Sequence, residues 1–101
     1  MKNFEELQDL IINWANEKEI LAPGNHSKQL MKVVEELGEL SGAILKRNRI
    51  NEEDSFGDLL VTIIILAKQR NIDLIEELGH AYNTIKDRVG KTVDGTFIKN
   101  N

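Results

Sequence analysis

Asn51-Glu52-Glu53-Asp54-Ser55-Phe56-Gly57-Asp58-Leu59-Leu60-Val61-Thr62-Ile63-Ile64-Ile65-Leu66-Ala67-Lys68-Gln69 is the stretch whose reading settles the fold class. Its centre, Val61-Thr62-Ile63-Ile64-Ile65, is rich in β-branched side chains and taken alone would suit a strand. Its opening argues for a helix. Asn51 stands where a cap belongs, and Glu52, Glu53 and Asp54 follow where acids meet the positive end of a helix dipole. The segment is also much longer than an ordinary strand and has helical patterns on both sides. It reads as a helix from Asn51 to about Gln69. A helix apolar all round is normally buried on all sides. A chain of 101 residues has little room to bury one so fully, so this helix is expected to form the shared core of a dimer.

Working outward, the chain upstream shows two more helical patterns. Asn3 and Glu6 form a capping box, followed by Phe4, Leu7, Leu10, Ile11 and Trp14 at helical spacing. Leu21-Ala22-Pro23-Gly24-Asn25 is a loop around the single proline. A second helix is expected from near Ser27 to about Arg47, with Leu30, Val33, Leu37, Leu40 and Ile44 as its apolar stripe. Downstream, Asp73 and Glu76 open a fourth helix with Ile75, Leu78, Tyr82, Ile85 and Val89 inward and Gly90 as its C-cap. Val93-Asp94-Gly95-Thr96-Phe97 carries a tight-turn signal. The fold class is all-α: one domain over residues 1–101, a four-helix core of antiparallel helices completed by dimerisation.

Composition narrows the function classes. Without cysteine there is no disulfide scaffold, zinc-thiolate site or thiol nucleophile. A net charge of -4, with acids and bases mixed, gives no basic footprint for nucleic acid. The longest apolar run, Leu59 to Ala67, is far short of the roughly 20 residues that span a membrane. The first residues lack the apolar core of a signal peptide, and the expectation is a soluble cytoplasmic protein.

Two acidic clusters remain. In Val33-Val34-Glu35-Glu36-Leu37-Gly38-Glu39-Leu40, Glu36 and Glu39 fall on one side of the helix, while Glu35 points away from the apolar stripe into solvent. Lys32 lies one turn before them and fits an ion pair with Glu36. On the next helix Asp54 and Asp58 share a stripe, and Asp58 leads directly into Leu59-Leu60-Val61. A carboxylate entering an apolar helix is costly unless it is paired or bound to a metal. An oxygen-only ligand set favours a hard cation, Mg²⁺ with Mn²⁺ as a substitute, and Mg²⁺ held by few carboxylates usually completes its shell with water and phosphates. On the fourth helix Lys86 falls near the centre of the apolar stripe, with Asn83 at its edge. Lys86 fits either a phosphate or an ammonium snorkelling to solvent. Trp14 suits a core position or a stack on a base. His26 and His80 are isolated.

Val34-Glu35-Glu36-Leu37-Gly38-Glu39-Leu40, followed by Asp54-Ser55-Phe56-Gly57-Asp58-Leu59-Leu60-Val61, resembles the MazG-type all-α nucleoside triphosphate pyrophosphohydrolases, whose hallmark is EExxE followed by ExxD. The stretch from Trp14 to Leu30 and that from Ala81 to Arg88 with the Val93–Phe97 tail are similar to their small single-domain members. The resemblance implies a homodimer or dimer of dimers. It also implies Mg²⁺-dependent hydrolysis of (deoxy)nucleoside triphosphates to the monophosphate and pyrophosphate, in the manner of nucleotide-pool house-cleaning. Glu36, Glu39 and Asp58 match the catalytic and metal positions, with Asp54 beside them. Asn83 and Lys86 match phosphate-contacting positions, and Lys32 and Trp14 join them as expected substrate contacts. One position departs from the pattern. Ser55 stands where the first carboxylate of ExxD is expected, and a hydroxyl is a poorer ligand and no general base. That departure favours a second reading: a non-catalytic nucleotide-binding or helical dimerisation module with a degenerate acidic site.

Overall fold

The computed structural model describes residues 1–100. They form four helices, α1 (Phe4–Glu17), α2 (His26–Leu45), α3 (Arg49–Gln69) and α4 (Leu74–Ile85), and two short strands, β1 (Gly90–Val93) and β2 (Thr96–Lys99). The fold class is all-α, as the sequence implies, with a C-terminal hairpin added. No described helix is long and apolar enough to cross a membrane.

The β-branched centre of α3 is helical, and α3 is the element on which the others assemble. Its cap is Asn48, not Asn51: Asn48 Oδ1 accepts from Asn51 N at 3.1 Å, so the helix begins one turn earlier than expected. Arg49 then pairs with Glu52 at 2.8 Å and Glu53 at 3.1 Å across the first turns. The earlier start takes Asp54 out of the first turn, so dipole compensation no longer accounts for it.

α2 and α3 form the principal pair, an antiparallel hairpin joined through Lys46–Asn48. Gln29, Leu40 and Ala43 are the buried residues of α2. Together with the part-buried Val33 and Glu36 they trace its contact stripe. The expected stripe of Leu30, Val33, Leu37, Leu40 and Ile44 is therefore split: Leu30, Leu37 and Ile44 stay about half exposed. Gln29 Nε2 donates to the Thr62 carbonyl at 3.2 Å and ties the start of α2 to the middle of α3.

α1 crosses the other side of α3. Its buried residue is Ala15, whose small side chain lets the two backbones approach closely. Gln8, Ile11 and Ile12 are its part-buried positions. Phe4, Leu7, Leu10 and Trp14, read as the inner face, are each about half exposed. The Ile20 carbonyl accepts from Asn25 Nδ2 at 3.2 Å and Gln69 Nε2 at 2.9 Å, which fixes the α1–α2 connection against the end of α3.

α4 is capped as expected, with Asp73 Oδ1 accepting from Glu76 N at 3.0 Å, but it ends at Ile85 and buries no residue. Lys86 and Val89 lie beyond it, and Gly90 opens β1 instead of capping a helix. The tight-turn signal is realised as an antiparallel hairpin with Gly90 opposite Lys99 and Val93 opposite Thr96. Asp94 and Gly95, at φ 50 and 80, make the two-residue turn whose positive dihedrals match strand twist. Gly90 is required where it stands. A Cβ there would run into the Ile98 carbonyl oxygen, the Phe97 ring and Lys99 Cα.

Candidate functional site

The two acidic clusters do meet. α2 and α3 border an open cleft of about 760 Å³ whose lining includes Glu35, Glu39, Asp54 and Asp58. The antiparallel pairing brings the middle of α2 alongside the first half of α3, so residues some twenty apart in sequence come to share one surface. Gly38 and Gly42 leave the α2 wall bare. A Cβ at either would meet no other atom within 4 Å.

Glu36, on the α2 stripe that contacts α3 and outside the cleft's lining, is the most constrained of the neighbouring acids. The residue is only half-buried, but its Oε2 is sealed from solvent and has no hydrogen-bond partner. Burial above all, then the neighbouring Glu39 carboxylate, with Asp58 and Glu35 behind it, push Glu36 above the ordinary carboxylate range. Each cause opposes the ionised form, by desolvation, by like charge or, with Glu39, by a side-chain hydrogen bond that requires a protonated carboxyl. Glu39, Asp54 and Asp58 themselves are exposed. Among the described residues no three His, Cys, Asp or Glu side chains are gathered as a ready-made metal site. The acids share a neighbourhood without closing into a cage.

Glu35 and Lys32 differ from the sequence reading. Glu35 lines the cleft instead of pointing away from it. Lys32 Nζ pairs with Glu35 Oε2 at 3.4 Å, not with Glu36, in an exposed contact that contributes little to stability. Ser55 is 6% exposed, one of two buried polar residues among those described, and lines the same cleft as Ala43. The position where a carboxylate was expected is thus a small hydroxyl in the seam between the helices.

The expected substrate contacts lie elsewhere. Trp14 is on the outer side of α1, Asn83 is on the exposed α4, and Lys86 follows that helix. Neither these three nor Lys32 lines the cleft. Three polar lining residues escaped the sequence reading: Lys46, Asn48 and Asn51. The missed signal was Asn48, which fits a cap as well as Asn51 does. Placing the helix start there puts the connection, with Lys46, at the end of the cleft.

No family model matches the chain, and no solved structure matches it. Over 75 residues, 71% of this chain, it is 39% identical to an uncharacterized 18.2 kDa protein from the rep-hol intergenic region of Haemophilus phage HP1. The aligned stretch covers 46% of that phage protein, so the chain spans about half the length of the relative it matches.

Proposed function

We propose that the α2–α3 cleft binds the magnesium complex of a (deoxy)nucleoside triphosphate, as a nucleotide-binding module with a degenerate acidic site. Glu39 and Asp58, which line the cleft, would face the cation with Glu36 next to them at the α2–α3 contact, Asp54 would stand beside them, and Lys46 would answer phosphate charge at the cleft's end. The observation that carries this reading is the Glu36 carboxylate, whose Oε2 is sealed from water without a hydrogen-bond partner and which is crowded by like charge. A cation relieves all three costs together. The open arrangement of acids also suits Mg²⁺, which commonly takes one or two carboxylates and fills its shell with water and substrate phosphates. Mn²⁺ would substitute, since it accepts the same oxygen donors.

Two features favour binding over turnover. Ser55 supplies no carboxylate for a second metal or a general base, and the acids do not close into a preformed cage. Hydrolysis to the monophosphate and pyrophosphate, the activity implied by the MazG resemblance, is the second reading. It is favoured by Glu36 itself, because a carboxylate raised toward neutrality is better suited to accept a proton from water.

Calorimetric titration of Mg²⁺ alone and of Mg²⁺ with each dNTP, paired with a pyrophosphate-release assay, separates the readings. Binding of the complex without pyrophosphate supports the module. Pyrophosphate release that disappears in Asp58→Asn establishes the hydrolase. Absence of binding to every nucleotide overturns both. For either reading Asp58→Asn should weaken binding of the complex about tenfold or more, some 1.4 kcal/mol.

A further inference from the structure

The walls of the acidic cleft decide which part of a ligand it can read. Phe4, Trp14, Phe56, Tyr82 and Phe97 are the aromatic residues of the chain, and none of them lines the cleft. Ala43 is the largest apolar side chain on its walls. A nucleobase is normally held against an aromatic or aliphatic face, because stacking is what takes its ring out of water. Hydrogen-bond readers are scarce as well. Asn48 Oδ1 already accepts from Asn51 N at 3.1 Å as the cap of α3. The amide nitrogen of Asn48 and the side chain of Asn51 remain, and both residues are exposed. A polar contact rejects the wrong ligand strongly only where the groups it leaves unpaired are buried.

The groups the cleft does hold suit a chain of phosphates. Glu39, facing Asp58 across the helix pair, and Lys46 at the cleft's end are both part of its lining. Seven residues separate Glu39 from Lys46 in sequence, about 10 Å along the helix axis. Gly42 lies between them without a side chain, and a Cβ there would meet no atom within 4 Å. Helical side chains lean toward the helix N-terminus, which turns the Lys46 stem back over Gly42 and toward the carboxylates. A cation at the carboxylates, bare backbone in the middle and an ammonium at the end make a track for an extended polyanion. Glu35, Glu39, Asp54 and Asp58 stand against the single Lys46, so phosphate without its metal is repelled.

We infer that the cleft recognises the metal–triphosphate group alone: any triphosphate monoester carrying Mg²⁺ is a ligand, and its base and sugar stay in solvent beyond the open rim. The inference rests on the nucleotide-binding reading of the cleft and adds which part of the nucleotide is read. Gly42 and Lys46 set this specificity, one by leaving room for the phosphates and the other by ending their track.

Calorimetric titration with the Mg²⁺ complexes of each dNTP, of ATP and of methyl triphosphate tests it. Methyl triphosphate has the charge and ester linkage of a nucleotide but neither base nor sugar. All should bind within about threefold of one another, the scale of one exposed hydrogen bond, and none should bind with EDTA in place of Mg²⁺. Gly42→Leu should weaken every ligand about tenfold or more while the helical circular dichroism is retained. Lys46→Met, at an exposed position, should weaken all of them by a common factor, and it decides should Gly42→Leu fail to fold. Methyl triphosphate bound more than about tenfold more weakly than the best nucleotide overturns the inference and leaves nucleotide binding in place. So does a preference of that size for one base or for one sugar. Absence of binding to every triphosphate overturns the nucleotide-binding reading and this inference with it.

Discussion

Glu36 is where the physical conflict of the molecule is concentrated. Its carboxylate is raised by burial and then by Glu39, Asp58 and Glu35, so the folded state holds its proton more tightly than the unfolded chain does. Between the ordinary carboxylate value and the raised one, the native state binds more protons, and stability falls as pH rises through that window. The contribution of Glu36 is therefore most favourable in mild acid and is lost toward neutrality. Thermal melts of the ligand-free protein across that range should show this decline. Glu36→Gln should flatten it and raise the melting temperature at neutral pH; an unchanged pH profile would remove Glu36 as the source. That Glu39 and Asp58 share one acidic surface was legible from their helical positions, whereas Glu36 lies on the α3-facing stripe outside the cleft's lining. That Glu35 lines the cleft was not legible: a helical wheel gives direction relative to one stripe, and the partner helix sits along Glu36 and Leu40 instead of along Leu37.

Among the elements, caps and turns were the most readable features, because they are decided by a few adjacent residues. Asn3, Asp73 and the Asp94–Gly95 turn sit as their local chemistry requires. The start of α3 was misplaced because Asn48 and Asn51 are equally good caps, and the choice depends on how tightly the α2–α3 connection closes. The hairpin carries its own test. Gly90→Ala should disrupt the β1–β2 pairing, since a methyl group there strikes the opposing strand. Every residue of both strands is exposed, so the damage should stay local. Amide exchange should quicken in residues 90–99 while protection in α2 and α3 is retained. Loss of protection throughout would mean that the hairpin braces the helices.

At the scale of the whole molecule, the dimer expected from the sequence would couple folding to association, since Leu30, Leu37 and Ile44 are left about half exposed. If two copies complete one core, the melting temperature must rise with protein concentration, because the dimer is favoured by mass action and the unfolded chain is not. Melts over a hundredfold range of concentration should show a steady upward shift, and Leu37→Glu should abolish it. A concentration-independent transition in the wild-type chain would show that a single copy is stable with its apolar faces open. The same exposure explains why the inner face of α1 was misread. Phe4, Leu7, Leu10 and Trp14 have the right spacing, but one chain offers α1 only the flank of α3 where Ala15 fits.

Periodicity, capping residues and turn chemistry were enough to determine four helices, their approximate limits and two acidic clusters. Each of these depends on neighbours within a turn or two of the chain. Tertiary structure alone decided which side of each helix is covered, that Glu35 and Lys46 join the cleft, and that Ser55 is sealed in the seam. Those outcomes depend on how α2 and α3 are rotated against each other. Because α2 is apolar over more than one stripe, hydrophobic pattern alone did not choose between Leu37 and Leu40 as the inward residue.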